Sequence, residues 1–389
     1  MSFLEGVEGV EGVEGVEGVE GVEGVEGVEG VEGVEGVGRR RSTPIGALLT
    51  HRDGIVGGWN SIGTAWTSDE LPVDQTKNLG RWDARIRGFV FESQLLSALH
   101  FSVDANQRAT LWHGTPTGGN PPKTTWSALV TMVRPPEATL RLQLALVNGY
   151  ADLRADRARE IAAQKAPQYA FWGSVLPLYP ARHRRTYELI RLALRLAKSA
   201  EMNFKNALVV RRPHEYSPQI QPMIQTPIHG SLPSGHSTEA FIVARVLLEL
   251  AIAGAVKSSG TTGTAPPSNA ARQQLRGLLM RQAARIAVNR TVAGVHFPAD
   301  SMAGQLLGLA LGDYFIQRCT AGGAVATYTF DGTSYGAQQD FTGAELFNPT
   351  TGAFIPPPQQ GFATQDGAVN AATAPALVWL WNAALDEWV

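Results

Sequence analysis

Ser231-Leu-Pro-Ser-Gly-His-Ser-Thr238 leads, through Glu239, into Ala240-Phe-Ile-Val-Ala-Arg-Val-Leu-Leu-Glu-Leu250. The second stretch has the apolar content of a buried helix. The first sets Ser234, Gly235 and His236 where that helix begins. A helix N-terminus carries unsatisfied N–H groups and the positive end of the macrodipole, so backbone donors, a hydroxyl and an imidazole there suit an oxyanion the size of phosphate. The plainer reading is that Ser234, Ser237 and Thr238 cap the helix and His236 is a turn residue. What lies on either side of the stretch decides between them.

Upstream, Arg182-His-Arg-Arg-Thr186 opens a helical pattern in which Leu189, Ile190, Leu192, Leu194 and Leu196 alternate with Arg191, Arg195 and Lys198. It ends near Pro213, and a Pro-rich loop over residues 217–227 delivers the chain to His229. Downstream, a Gly/Ser/Thr/Pro linker at 257–268 precedes helical patterns at 270–288 and 298–318, the last with Pro298 in its first turn. Earlier patterns cover 86–102, 139–164 and 170–176, the first two separated by a turn-rich 112–125. Residues 376–389 form an amphipathic end with Trp379, Trp381 and Trp388 placed to dock. Helical signals far outnumber strand signals, so the expected fold class is all-α, a helical bundle, with 324–331 as β-like decoration.

The 389 residues, 44% hydrophobic and 17% charged, allow a sizeable core. Eleven Glu-Gly-Val repeats fill residues 5–37 without a proline, so neither collagen nor a helix stripe fits and the arm is expected to be disordered. Without its eleven glutamates the formal charge of −2 becomes +9 on the rest, which suits a small anionic partner and is too scattered for nucleic acid. One cysteine, Cys319, excludes an intrachain disulfide and a multi-thiolate metal site. No stretch is long and apolar enough to span a bilayer, and no export signal is legible, so the cytoplasm is the default expectation. The expected division is a repeat arm at 1–43, a helical domain at 44–320 whose residues 44–81 wrap it with Trp59 and Trp66, and a loop-rich tail at 321–389 ending in a docking helix.

Three separated clusters carry the chemistry. Lys205 and Arg212 are two helical turns apart. Arg290 and His296 flank a glycine-containing loop, with Asp300 four residues beyond. Singly, each has a dull explanation: surface cations, a cation at a helix C-terminus, a packed core histidine.

Together, Lys205-x6-Arg212-Pro213, Pro233-Ser-Gly-His236 and Arg290-x5-His296-x3-Asp300 resemble, in order and spacing, the three signature motifs of the type 2 phosphatidic acid phosphatase and vanadium haloperoxidase superfamily. The motif core is 205–300. Asn289 departs from the serine usual before the motif arginine, though it can also donate a hydrogen bond. The resemblance implies a helical bundle in which Lys205, Arg212 and Arg290 hold the phosphoryl oxygens, with Ser234 and the Gly235 N–H. His296 would be the nucleophile, Asp300 would fix its tautomer, and His236 would protonate the leaving group and then activate water. No cofactor is implied for a phosphatase. For a haloperoxidase the implied cofactor is vanadate, ligated by His296. Two further positions bear on that choice: Met202, where haloperoxidases resembling this chain carry Trp, favours the phosphatase, and His229, where bromoperoxidases carry His, favours the alternative. The leading expectation is a metal-independent phosphoric monoester hydrolase inhibited by vanadate. A vanadium-dependent haloperoxidase is the alternative, and an inactive oxyanion-binding scaffold is a further one.

Overall fold

The computed structural model describes residues 45–56, 71–119, 123–356 and 360–389. The repeat arm and the loop with Trp59 and Trp66 lie outside the described residues. Residues divide into two compact units, 1–87 and 88–389. In the first, α1 (Ile45–Val56) is followed by a 3₁₀ turn (Thr76–Arg81). There Leu79 is buried, and the Arg87 guanidinium donates to the carbonyls of Leu79 and Trp82.

The second unit begins within α2 (Ala84–Leu96) and continues as β1 (Leu99–Val103), β2 (Ala109–Thr117), β3 (Lys123–Val133), α3 (Glu137–Gly149), α4 (Arg154–Ala163), α5 (Tyr169–Gly173), α6 (Arg184–Leu208), α7 (Pro213–Tyr216), α8 (Gly235–Thr262), α9 (Asn269–Val292), α10 (Pro298–Cys319), β4 (Gly323–Asp331), β5 (Ala363–Ala371) and α11 (Pro375–Leu385). At its centre is α10, apolar on almost every face and buried along nearly its whole length, as a helix enclosed by others must be. Side chains such as Leu306, Leu307, Leu311 and Phe315 each contribute about 1.5–3 kcal/mol by leaving water. Gly304, Gly308 and Gly312 recur every four residues on one face and let α8 approach closely. A Cβ on Gly304 would stand 2.6 Å from the Ser237 Cβ, and one on Gly308 would stand 2.5 Å from the Thr238 carbonyl oxygen. Both helices bring site residues, so this close contact sets the spacing of the site.

The all-α expectation is corrected by a five-stranded mixed sheet in the order β1-β2-β3-β4-β5. Neighbours are antiparallel except β3 and β4, which run parallel from Val130↔Tyr328 to Val133↔Asp331. The sheet packs on the helices through Phe101 against Phe204 and His113 against Tyr314. Of the turn signals in 112–125, Gly114 and Pro116 fall inside β2, and both have strand reasons. Gly114 pairs with Trp126, whose ring occupies the space a Cβ would need. Pro116 lies beyond the end of β1, where no ladder bond is lost on that side. Likewise 324–331 is not decoration: as β4 it joins the hairpin strands before the helical core to β5 after it. The single helical pattern at 139–164 is α3 and α4 with a 3₁₀ turn between them.

The chain's last turns also finish α6. Its N-cap residue, His183, makes no side-chain cap bond. The Glu387 carboxylate instead accepts from the Arg185 N–H at 2.7 Å and from the Thr186 N–H and hydroxyl at 2.9 Å each. Trp388 donates to the same hydroxyl at 2.9 Å, Trp381 is buried, and Trp379 stacks on Phe91.

Candidate oxyanion-binding site

Lys205 sits in the last turn of α6, which ends when Val209 turns left-handed at φ 47°. The apolar positions of α6 face the core, and the same face carries Lys205 inward until it is 3% exposed. Its ammonium donates to the carbonyls of Gly230, Ser231 and Pro233. Removal from water pushes its pKa down to about 8, and Glu201, one turn earlier, opposes the fall. Arg212, the N-cap residue of α7, is buried too. Its guanidinium reaches the carbonyls of His229, Gly230 and Val295, the His229 Nδ1 at 3.1 Å and the His296 Nε2 at 2.9 Å.

His296 lies two residues before Pro298 and Asp300 in the first turn of α10. Asp300 takes the N3 position, and its Oδ2 accepts from the Phe297 N–H at 2.9 Å, half of a capping box. The same oxygen accepts from His296 Nδ1 at 3.0 Å and from the Ser231 hydroxyl. Since Arg212 can only donate, Nε2 of His296 is the acceptor and Nδ1 carries the hydrogen. Burial, with Arg212, Lys205 and His236 near, holds His296 well below its ordinary pKa, so the ring is neutral. Ser234 precedes α8 as its N-cap residue without using its side chain as a cap, and its buried hydroxyl has no hydrogen-bond partner among the described residues. Gly235 leaves room for the Glu201 carboxylate, which would stand 2.8 Å from a Cβ there.

A second set completes the arrangement. The buried Arg290, near the end of α9, donates to Gln164 Oε1 at 2.9 Å and to the Ile161 carbonyl at 3.3 Å. His236 Nε2 donates to the Gln164 carbonyl at 3.1 Å, and desolvation with Arg290 nearby pushes its pKa down to about 3. The Val295 N–H donates to the Arg290 carbonyl at 3.1 Å and ties this set to the first.

The fold therefore gathers Lys205, Arg212, His229, Ser234, His296 and Asp300 around the loop at 229–234, and Arg290 with His236 around Gln164. Asn289 stands behind Arg290, bonded to Glu160, Gln164 and Arg157. Met202 is half-buried and joins neither set by a hydrogen bond. The sequence assigns no role to Ser231, Glu160, Gln164 or Glu201. No spacing rule singles out Ser231 as a partner of Asp300, and the four-residue interval of Glu160 and Gln164 fits any solvated helix face.

Two basic groups, a buried hydroxyl and a carboxylate-oriented imidazole are thus gathered around a helix N-terminus. Residues 189–319 match the family model of the PAP2 superfamily. Among solved structures, the chain resembles the transmembrane PAP2-type phosphatidylglycerolphosphate phosphatase from Bacillus subtilis at 18% identity and a TM-score of 0.27, over 45% of this chain and 91% of that one. No curated protein matches. Among the described residues, no helix is long and apolar enough to cross a membrane. The superfamily supports an enzyme of the phosphatase type.

Proposed function

We propose that the chain hydrolyses phosphoric monoesters through a phosphohistidine. The observation that carries this reading is the His296 ring, held by Asp300 at Nδ1 with its Nε2 lone pair turned toward a guanidinium. A phosphoryl group entering there would take over the Arg212 donors, and Lys205, Arg290, the Ser234 hydroxyl and the Gly235 N–H would share its remaining oxygens. His296 Nε2 would then form the bond to phosphorus as the ester P–O bond breaks, and Asp300 would stabilise the cationic ring. The leaving alkoxide needs a proton. His236 is neutral without substrate, and a bound dianion would offset Arg290 and raise its proton affinity, so the acid form would arise with substrate in place. After donating that proton, His236 would accept one from the water that cleaves the P–N bond.

The donors also fit a tetrahedral vanadate, with His296 Nε2 as its ligand. A second reading, a vanadium-dependent haloperoxidase, is favoured by His229, which is hydrogen-bonded to Arg212 at 3.1 Å. Vanadate held there would supply peroxide activation for halide oxidation.

The test is p-nitrophenyl phosphate hydrolysis by the wild type and by His296→Ala, with and without vanadate. Hydrolysis that His296→Ala abolishes and vanadate inhibits supports the phosphatase. Vanadate-dependent bromination without phosphate release favours the second reading, and neither activity in folded protein leaves an inactive anion-binding scaffold.

A further inference from the structure

One face of α4 is given over to the site, although it lies before the segment that matches the superfamily. Arg154, Arg157, Glu160 and Gln164 follow at intervals of three, three and four residues, which aligns them along the helix. Arg154 donates to the carbonyls of Val292, Gln221 and Ile220 at 2.8 to 3.0 Å, pinning the end of α9 to the loop that leads to His229. Glu160 pairs with Arg285 and accepts from Asn289 at 2.9 Å. Gln164, fully buried at the C-terminal end, makes the closest approach to the site.

We infer that Gln164 is a positioning residue for both Arg290 and His236: its amide oxygen aims the guanidinium and its backbone carbonyl aims the imidazole. The inference rests on the phosphate-site reading above. The orientation of the amide follows from its neighbours. Oε1 lies 2.9 Å from Arg290 Nη2 and 2.9 Å from Asn289 Nδ2, both donors, while Nε2 donates to Glu160 Oε1 at 3.1 Å. Turned over, the NH₂ would face two donors and the oxygen would face a carboxylate. A glutamine suits this place because an amide accepts from a guanidinium without cancelling its charge, which stays available to a dianion. A carboxylate at the same point would neutralise it. The bond to His236 runs to the main chain, so a side-chain substitution at 164 separates the two contacts.

The experiment is calorimetric titration of the full chain with inorganic phosphate. Gln164→Leu, close in volume and without an acceptor, should weaken phosphate binding about tenfold, the scale of one hydrogen bond to a charged group. In an Arg290→Ala background the same substitution should cost nothing further, because its effect passes through that guanidinium. A merely structural role would carry its cost into both backgrounds. If Gln164→Leu does not fold, Gln164→Asn, one methylene short of reach, should show the same pattern. Wild-type affinity in a folded variant, or an undiminished cost without Arg290, overturns the inference. A wild-type chain that binds no phosphate fails the site reading itself, a result distinct from either.

Discussion

Replacing Gly308 by Ala sets two effects against each other. Alanine is the better helix former, and in the middle of α10 the exchange should gain about 1 kcal/mol from backbone entropy alone. Its Cβ, however, would lie 2.5 Å from the Thr238 carbonyl oxygen, 2.9 Å from the Phe241 Cβ and 3.2 Å from the Ile242 nitrogen. Two of the three are main-chain atoms of α8, which no rotamer change can move. Restoring an ordinary contact of about 3.4 Å requires α8 to retreat by roughly 0.9 Å, and overpacking of that kind costs about 1–3 kcal/mol. The clash should outweigh the propensity gain and leave a net loss of up to about 2 kcal/mol, a fall in melting temperature of up to about 3 °C for a unit of this size. The second consequence is functional. α8 begins beside His236 and α10 begins with Asp300 in its first turn, so separating them opens the site, and a misplacement near 1 Å costs about a hundredfold in rate. Thermal unfolding followed by circular dichroism reads the first effect, and, on the phosphatase reading proposed above, p-nitrophenyl phosphate hydrolysis by the folded variant reads the second. A variant as stable as the parent, or more so, would refute the close-contact argument.

Two other perturbations test separate parts of the structure. Glu387→Ala removes the carboxylate that caps α6 and should lower stability by about 1–2 kcal/mol, seen as a lower urea midpoint with an unchanged slope. Burial beside Glu239 pushes the Glu201 carboxyl up to about 7, so the folded state keeps a proton that the unfolded chain releases from about pH 4.5 upward. Stability from this group is therefore full below pH 4.5 and is lost as pH rises to about 7. The melting temperature of Glu201→Gln minus that of the parent should grow more positive from pH 4.5 to 7 and then level off, and a difference independent of pH would contradict the assignment.

The site was far more legible than the architecture around it. Lys205, Arg212, His236, Arg290, His296 and Asp300 have fixed intervals within short stretches, and local spacing survives whatever the rest of the chain does. Helices α6, α8, α9 and α10 were legible because their apolar periodicity is set by one buried face or by complete burial. The strands were not. Gly114 and Pro116 carry turn signals when read alone, and only the facing Trp126 and the short β1 explain them. Nor does a single sequence reveal that β3 pairs with a strand almost two hundred residues later, since parallel pairing leaves no local turn. Gln164 and Ser231 were missed for the same reason: their partners lie 126 and 69 residues away.

The capping of α6 has a consequence for the order of events during synthesis. The helix that bears Lys205 leaves the ribosome well before Glu387 does, and until then its first N–H groups have only water as partners. A nascent chain still tethered before that point can assemble much of the helical core, yet the start of this helix stays frayed. Glu387, about two hundred residues later in the chain, thus closes the opening turn of the helix that carries Lys205.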